Sequence, residues 1–156
     1  MPIAVPIATS AVRTALGPDG AFAQQIPGYQ PREPQIAMAE AVEQALSARS
    51  LLLVEAGTGT GKTYAYLVPA ILSGKKAIVS TGTRNLQDQL FHRDLPMVRK
   101  LLGRPVRTAL LKGRSNYLCP YRLQQHLDEG EFESKQIVHD LHRVAAWAGK
   151  TEQGDI

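Results

Sequence analysis

The chain has 156 residues, 44% of them hydrophobic and 21% charged, with 18 Lys or Arg against 14 Asp or Glu and a formal charge of +4. That length suits one domain, or one domain and part of another, and the hydrophobic share is enough for a buried core. No unbroken apolar run is long enough to span a membrane, and the single cysteine, Cys119, excludes an internal disulfide and makes a reducing cytoplasm the simplest compartment.

The opening stretch MPIAVPIATSAVRTALGP is apolar, but it holds Pro2 and Pro6 and lacks the basic start of a secretory leader, so residues 1–25 read as a loose N-terminal arm. Pro34 stands where a first-turn proline is tolerated, and Met38, Ala41, Val42, Ala45 and Leu46 then recur at helical spacing. The apolar run from Leu51 to Glu55 reads as a first strand. It feeds without a spacer into Ala56, Gly57, Thr58, Gly59, Thr60, Gly61, Lys62 and Thr63. Three glycines at that spacing let backbone amides converge on a phosphate chain that any Cβ would push away. Lys62 then reaches the β and γ oxygens, and the Thr63 hydroxyl completes the coordination of Mg²⁺. The helix opened by Gly61-Lys62-Thr63 and carrying Tyr66, Leu67, Ala70 and Ile71 adds its positive N-terminal end to the same anion site. A nucleoside triphosphate is the expected ligand.

Downstream, Ala77 to Ser80 reads as a second strand, a helix is expected from about Asn85 to Phe91, and Pro96 either breaks that helix or opens another. Arg107 to Leu111 is the expected third strand. After Pro120 the pattern is helical, with an apolar stripe of Ile137, Val138, Leu141, Val144, Ala145 and Trp147. Helices alternating with strands in this order imply a parallel sheet with right-handed crossovers and helices on both faces, of the RecA-like kind. Between Arg84 and Arg122 nine Lys or Arg face two acids, Asp88 and Asp94. Such a basic stretch suits a polyanionic partner, because neutralising phosphates releases condensed counterions. His139 and His142 stand three apart on one helix, but two imidazoles without a third ligand make a poor zinc site.

Four segments together carry a family resemblance: Tyr29 to Met38, Glu55 to Thr63, Ser80 to Leu90, and Leu111 to Cys119. In wording and order they resemble the DinG/YoaA branch of the XPD-like superfamily 2 iron–sulfur DNA helicases, nearer its YoaA side around Tyr64-Ala65-Tyr66 and Lys112 to Cys119. The resemblance runs from about Ile26 to Ile156. It implies a first motor domain over residues 26–112 and the helical beginning of an iron–sulfur insertion over 113–156. Gln35 matches the family's adenine-reading glutamine, whose carboxamide offers a donor and an acceptor to the N6 and N7 edge and so prefers ATP. Arg32, on the same approach, would orient it or stack on the base. Ser80 to Leu90 matches a segment that touches the single-strand backbone, where Thr81, Thr83, Asn85 and Gln87 suit sequence-neutral phosphate contacts, with Arg84, Lys112 and Arg114 supplying charge. Cys119 matches the first of four cysteines that hold a [4Fe-4S] cluster.

The sequence departs from that pattern in what it lacks. No second cysteine accompanies Cys119, and the acids Asp128, Glu129 and Glu131 follow no strand, so the acidic pair and the second-domain arginine of a working motor are missing. The expectation is an N-terminal fragment of an ATP-dependent DNA helicase of repair or replication stress that binds ATP without hydrolysing it. Its expected partner is single-stranded or forked DNA, with no membrane, and a clamp-loader subunit follows only from the YoaA resemblance. Two alternatives stay open at this stage: a P-loop ATPase or phosphotransferase without a DNA role, and a nucleotide- or DNA-binding module that never hydrolyses.

Overall fold

The computed structural model of the protein describes residues 10–130, 132 and 134–156; the first nine residues of the expected arm and Glu131 lie outside them. Residues 10–25 are not a loose arm. They form two short helices, α1 (Ala11–Leu16) and α2 (Ala21–Gln25), whose apolar side chains Val12, Leu16 and Phe22 are fully buried. Helices this short do not stand alone in water, so burial against the rest of the fold holds them. Ser10 caps α1 by accepting from the Arg13 amide at 3.2 Å, and its hydroxyl donates to Glu43 at 2.7 Å. Arg13 pairs with Glu33 and Glu40, both at 2.7 Å, tying α1 to the next helix.

That helix, α3 (Glu33–Ala48), starts with an acid and a proline in its first turn, both suited to a helix N-terminus. It packs chiefly on α4 (Lys62–Leu72), which buries Ala65, Leu67 and Val68. Phe22 of α2 sets its ring 5.8 Å from Tyr29 and 5.3 Å edge-on from Tyr64 of α4. Ile36 and Ala39 of α3 complete this centre.

The expected parallel sheet is not formed among the described residues. The only β pairing there is an isolated antiparallel bridge between Tyr117 and Asp155. The segments 51–55, 77–80 and 107–111 hold their expected places between helices but carry no ladder. Leu51 and Leu53 are 98% and 95% exposed while Leu52 and Val54 are 39% exposed, the period-two alternation of an extended run with one face open. Ile78 and Leu111 are likewise exposed. A strand needs a neighbour at about 4.8 Å to satisfy its N–H and C=O groups. Among the described residues none of these three segments has such a ladder.

From Arg84 the chain is helical to Leu102: α5 (Arg84–Gln89), a π-helical turn (Leu90–Asp94) and α6 (Leu95–Leu102). The expected helix over Asn85 to Phe91 is therefore the first part of a longer one. Pro96 has no N–H and would clash with the carbonyl four residues back in a regular helix. The wide turn absorbs this, with the Leu95 amide bonding the Leu90 carbonyl five residues back, so Pro96 opens α6.

The chain divides into two compact units, the first ending at Thr108 and the second spanning Ala109–Ile156, short of the 112/113 boundary expected. In the second unit a 3₁₀ turn (Arg114–Asn116) precedes α7 (Pro120–Glu129) and α8 (Lys135–Ala148). The Ile156 amide donates to the Asn116 carbonyl at 2.9 Å and the Leu118 amide to the Gly154 carbonyl at 2.7 Å. These bonds flank the Tyr117–Asp155 bridge and place the two side chains on one face. There Lys112 pairs with Asp155 at 2.7 Å, and its amide donates to the Tyr117 hydroxyl at 2.9 Å. The apolar stripe of α8 is present but not covered, since α8 buries no residue and Ile137, Val144 and Trp147 stay exposed. Among the described residues no helix is long and apolar enough to cross a membrane.

Candidate functional site

The loop 56–61 lies between the open run 51–55 and α4, as its glycine spacing requires. Gly59 and Gly61 take left-handed conformations with φ of 77° and 80°, a region open to glycine and strained for other residues. Gly61 is the residue preceding α4, and its carbonyl accepts the first amides of the helix, from Tyr64 at 3.1 Å and Ala65 at 3.2 Å. Thr60 closes the loop on itself, its hydroxyl donating to the Gly57 carbonyl at 2.9 Å.

Lys62 opens the helix and folds its ammonium back over the loop, donating to the carbonyls of Ala56 at 2.8 Å and Gly57 at 2.7 Å. A positive charge is thus held at the loop, on an exposed side chain free to exchange carbonyls for phosphate oxygens. Thr63 follows in the first turn, partly exposed. Its hydroxyl is a hard oxygen donor of the kind Mg²⁺ prefers. Thr58 is exposed at the tip of the loop.

Arg32 and Gln35 meet the loop, though not in the way expected. The Arg32 guanidinium donates to the Gly59 carbonyl. Gln35 is buried, and its Nε2 donates to the Gly61 carbonyl at 2.9 Å while its Oε1 accepts from the Tyr29 hydroxyl at 3.2 Å. Both ends of the carboxamide expected to read adenine thus bond within the protein, each using one of its two donor or acceptor positions. The Tyr29 hydroxyl also lies 3.0 Å from the Leu16 carbonyl at the end of α1. Burial pushes the Tyr29 phenol above its ordinary value against an opposing influence from Arg32, so it remains a proton donor at neutral pH.

Of the residues expected to touch DNA, Thr81, Thr83, Arg84, Asn85 and Gln87 gather at the start of α5. The Thr83 hydroxyl accepts from the Leu86 amide at 3.2 Å and so caps the helix, and the Thr81 hydroxyl donates to the Thr83 carbonyl at 3.3 Å. Arg84 and Asn85 are exposed. Lys112 and Arg114 belong to the second unit. Arg114 is exposed, whereas the Lys112 side chain is 12% exposed and its ammonium is paired with Asp155, which withdraws it from the expected phosphate contacts.

Cys119 is exposed and immediately precedes α7, two residues past the Tyr117–Asp155 bridge. Among the described residues no group of three or more His, Cys, Asp or Glu side chains converges on a metal-sized site. One thiolate does not hold a [4Fe-4S] cluster, which needs four, so the residues of this chain do not by themselves fit that group. Sequence reasoning missed Tyr29, Phe22 and Asp155. Only the spacing of Val12, Ala15 and Leu16 was a usable signal for the layer behind Tyr29; Asp155 has none at the sequence level.

Residues 36–144 match the DEAD/DEAH box helicase family. The chain is 55% identical over 139 residues to the ATP-dependent DNA helicase YoaA of Escherichia coli, covering 89% of this chain and 22% of that protein. It is 50% identical over 137 residues to the protein of the same name from Haemophilus influenzae, covering 88% of this chain and 21% of the other. The 3'-5' exonuclease DinG of Bacillus subtilis is 39% identical over 144 residues, 90% of this chain and 15% of that protein. The chain thus spans about a fifth of the length of the YoaA proteins it matches. No solved structure matches it.

Proposed function

We propose, because the chain belongs to the DEAD/DEAH box helicase family, that it supplies the nucleotide-gripping part of the first motor domain of an ATP-dependent DNA helicase. That family implies a RecA-like α/β fold. The observation that carries the reading is the loop 56–61 with the Lys62 ammonium held over it and α4 beginning at its end. A triphosphate entering there replaces the Ala56 and Gly57 carbonyls as partners of Lys62, and the N-terminal end of α4 favours its negative charge. Mg²⁺, where bound, would neutralise the phosphate oxygens, with the Thr63 hydroxyl in the first turn of α4 as the side-chain oxygen that would ligate it.

Hydrolysis and strand separation are assigned to the longer protein, in which an acidic pair and a second-domain arginine complete the motor. The start of α5, with Thr81, Thr83, Arg84, Asn85 and Gln87, and the exposed Arg114 are assigned to the backbone of single-stranded or forked DNA. Hydroxyls, amides and guanidinium groups suit phosphates without reading sequence. Cys119 is assigned as the one thiolate this chain contributes to an iron–sulfur site, a role that rests on the family resemblance. The test of the nucleotide reading is binding of a fluorescent ATP analogue to the full chain. Lys62→Ala should abolish it, and unchanged affinity in a variant with intact circular dichroism overturns the assignment.

A further inference from the structure

A cluster of unpaired positive charge lies at the far end of the helical run that begins with Arg84. Arg99, Lys100, Arg104 and Arg107 fall in the stretch from Leu95 to Arg107, which holds no Asp or Glu and no aromatic residue. Their four charges match the formal charge of +4 carried by the whole chain. Lys100, Arg104 and Arg107 are exposed and Arg99 is partly so. Among the described residues no ion pair or side-chain hydrogen bond engages any of the four. Other cations of the chain are held by acids, Arg13 by Glu33 and Glu40 and Lys112 by Asp155.

Basic side chains near a helix C-terminus often serve its last carbonyls and its dipole. At the end of α6 those carbonyls have other donors. The Gly103 amide bonds the Lys100 carbonyl at 3.2 Å, the Arg104 amide bonds the Arg99 carbonyl at 3.3 Å, and the Gln25 Nε2 bonds the Leu101 carbonyl at 3.2 Å. Gly103, left-handed with φ of 59°, turns the chain back and so brings Arg104 against the turn that carries Arg99 and Lys100. A Cβ on Gly103 would meet nothing within 4 Å, so this turn faces open space. Val98 and Leu101 are buried in the core and hold the helix end in place.

We propose that the C-terminal end of α6, through Arg99, Lys100 and Arg104 with Arg107 beyond them, is a contact surface for the sugar–phosphate backbone of duplex DNA, separate from the start of α5. The proposal rests on the DNA reading above and adds the duplex arm of a fork to it. Single strands are gripped by cations interleaved with aromatic rings on which bases stack, and this surface has no ring to offer. Duplex DNA presents one negative charge per about 1.7 Å of axis and is bound through charge alone where its sequence is not read. A tight group of unpaired cations suits that line of charge. At about 1.5 Å per residue, α6 ends up to about 27 Å from the start of α5, so the two ends cannot share one phosphate.

The experiment follows fluorescence anisotropy of a blunt-ended duplex and of oligothymidylate with the full chain across rising potassium chloride. The variants are Arg104→Gln, the triple Arg99→Gln/Lys100→Gln/Arg104→Gln, and Arg84→Gln, each checked by circular dichroism. The slope of log affinity against log salt for duplex should fall by about 0.9 in Arg104→Gln and about 2.7 in the triple variant. On oligothymidylate the triple variant should change the slope by less than about 0.7, the share of one single-strand contact. Arg84→Gln should show the opposite preference. Arg104 lies outside the helix, so its single variant decides the matter if the triple variant does not fold. A parent-like duplex slope in either folded variant overturns the proposal, and so does an equal loss on both DNAs, which would reveal diffuse attraction. Charge-dependent binding to phosphatidylserine vesicles with none to duplex overturns it in favour of a lipid surface. If the parent binds oligothymidylate through Arg84 but no duplex, only this surface fails; if it binds neither DNA, the DNA reading fails with it.

Discussion

Truncation of Phe22 to alanine tests whether the segment once read as a loose arm is part of the fold. Phe22 is fully buried and is the largest of the fully buried side chains. A phenylalanine buries about 150 Å² or more, which at ~25 cal/mol/Å² corresponds to about 4 kcal/mol, within the ~3–5 kcal/mol typical of Phe→Ala in a packed core. The tilted contact with Tyr29 and the edge contact with Tyr64 add about 0.5–1.5 kcal/mol each where they are well formed. The expected loss is thus about 4 kcal/mol, which for a chain of this size lowers the melting temperature by roughly 8–16 °C. Urea titration followed by circular dichroism measures the loss, with Phe22→Leu as a partner variant expected to lose much less. Because Tyr29 also bonds Gln35, which bonds Gly61, and Tyr64 follows Thr63, triphosphate binding should weaken in Phe22→Ala under conditions where it is still folded. A loss below about 1 kcal/mol, the range of surface substitutions, would mean that α2 contributes nothing to the core and would refute the packing argument.

The ion pair between Arg13 and Glu40 predicts a pH dependence. The Arg13 hydrogen bond holds the Glu40 carboxyl below its ordinary range, opposed by desolvation. A depressed carboxyl contributes stability that is full above about pH 4.3 and is lost as pH falls through its lower folded value. Unfolding measured from pH 6 down to pH 3 should show a steeper decline in the parent than in Arg13→Met, and parallel curves would show that the pair carries no linkage. For DNA, Arg84→Gln should lower the slope of log affinity against log salt for single strands by about 0.7, one phosphate contact. Lys112→Met should leave that slope unchanged because its ammonium serves Asp155; the reverse pattern in filter binding would place the contact at Lys112.

The turn from Ala56 to Thr63 and the helix start at Lys62 were legible from that stretch alone because their geometry is local. Glycines at fixed spacing, a lysine and a hydroxyl beside a helix start depend on neighbours within a few residues. The helix over Glu33–Ala48 was equally legible, from the period of its apolar side chains and its early proline. The extended segments 51–55, 77–80 and 107–111 were legible in place and not in pairing, since a ladder depends on which other segment lies alongside. The N-terminal helices were misread because six apolar-patterned residues do not form a helix by propensity. They form one when Val12, Leu16 and Phe22 find a surface to bury against. Likewise Gln35 and Lys112 carried the right chemistry for their expected ligands, an amide edge for a base and an ammonium for a phosphate. Only the tertiary structure shows that Tyr29 and Gly61 engage the first and Asp155 the second. A polar group bonds the partner that the fold brings within 3 Å, and residues far apart in the chain are brought that close only by packing.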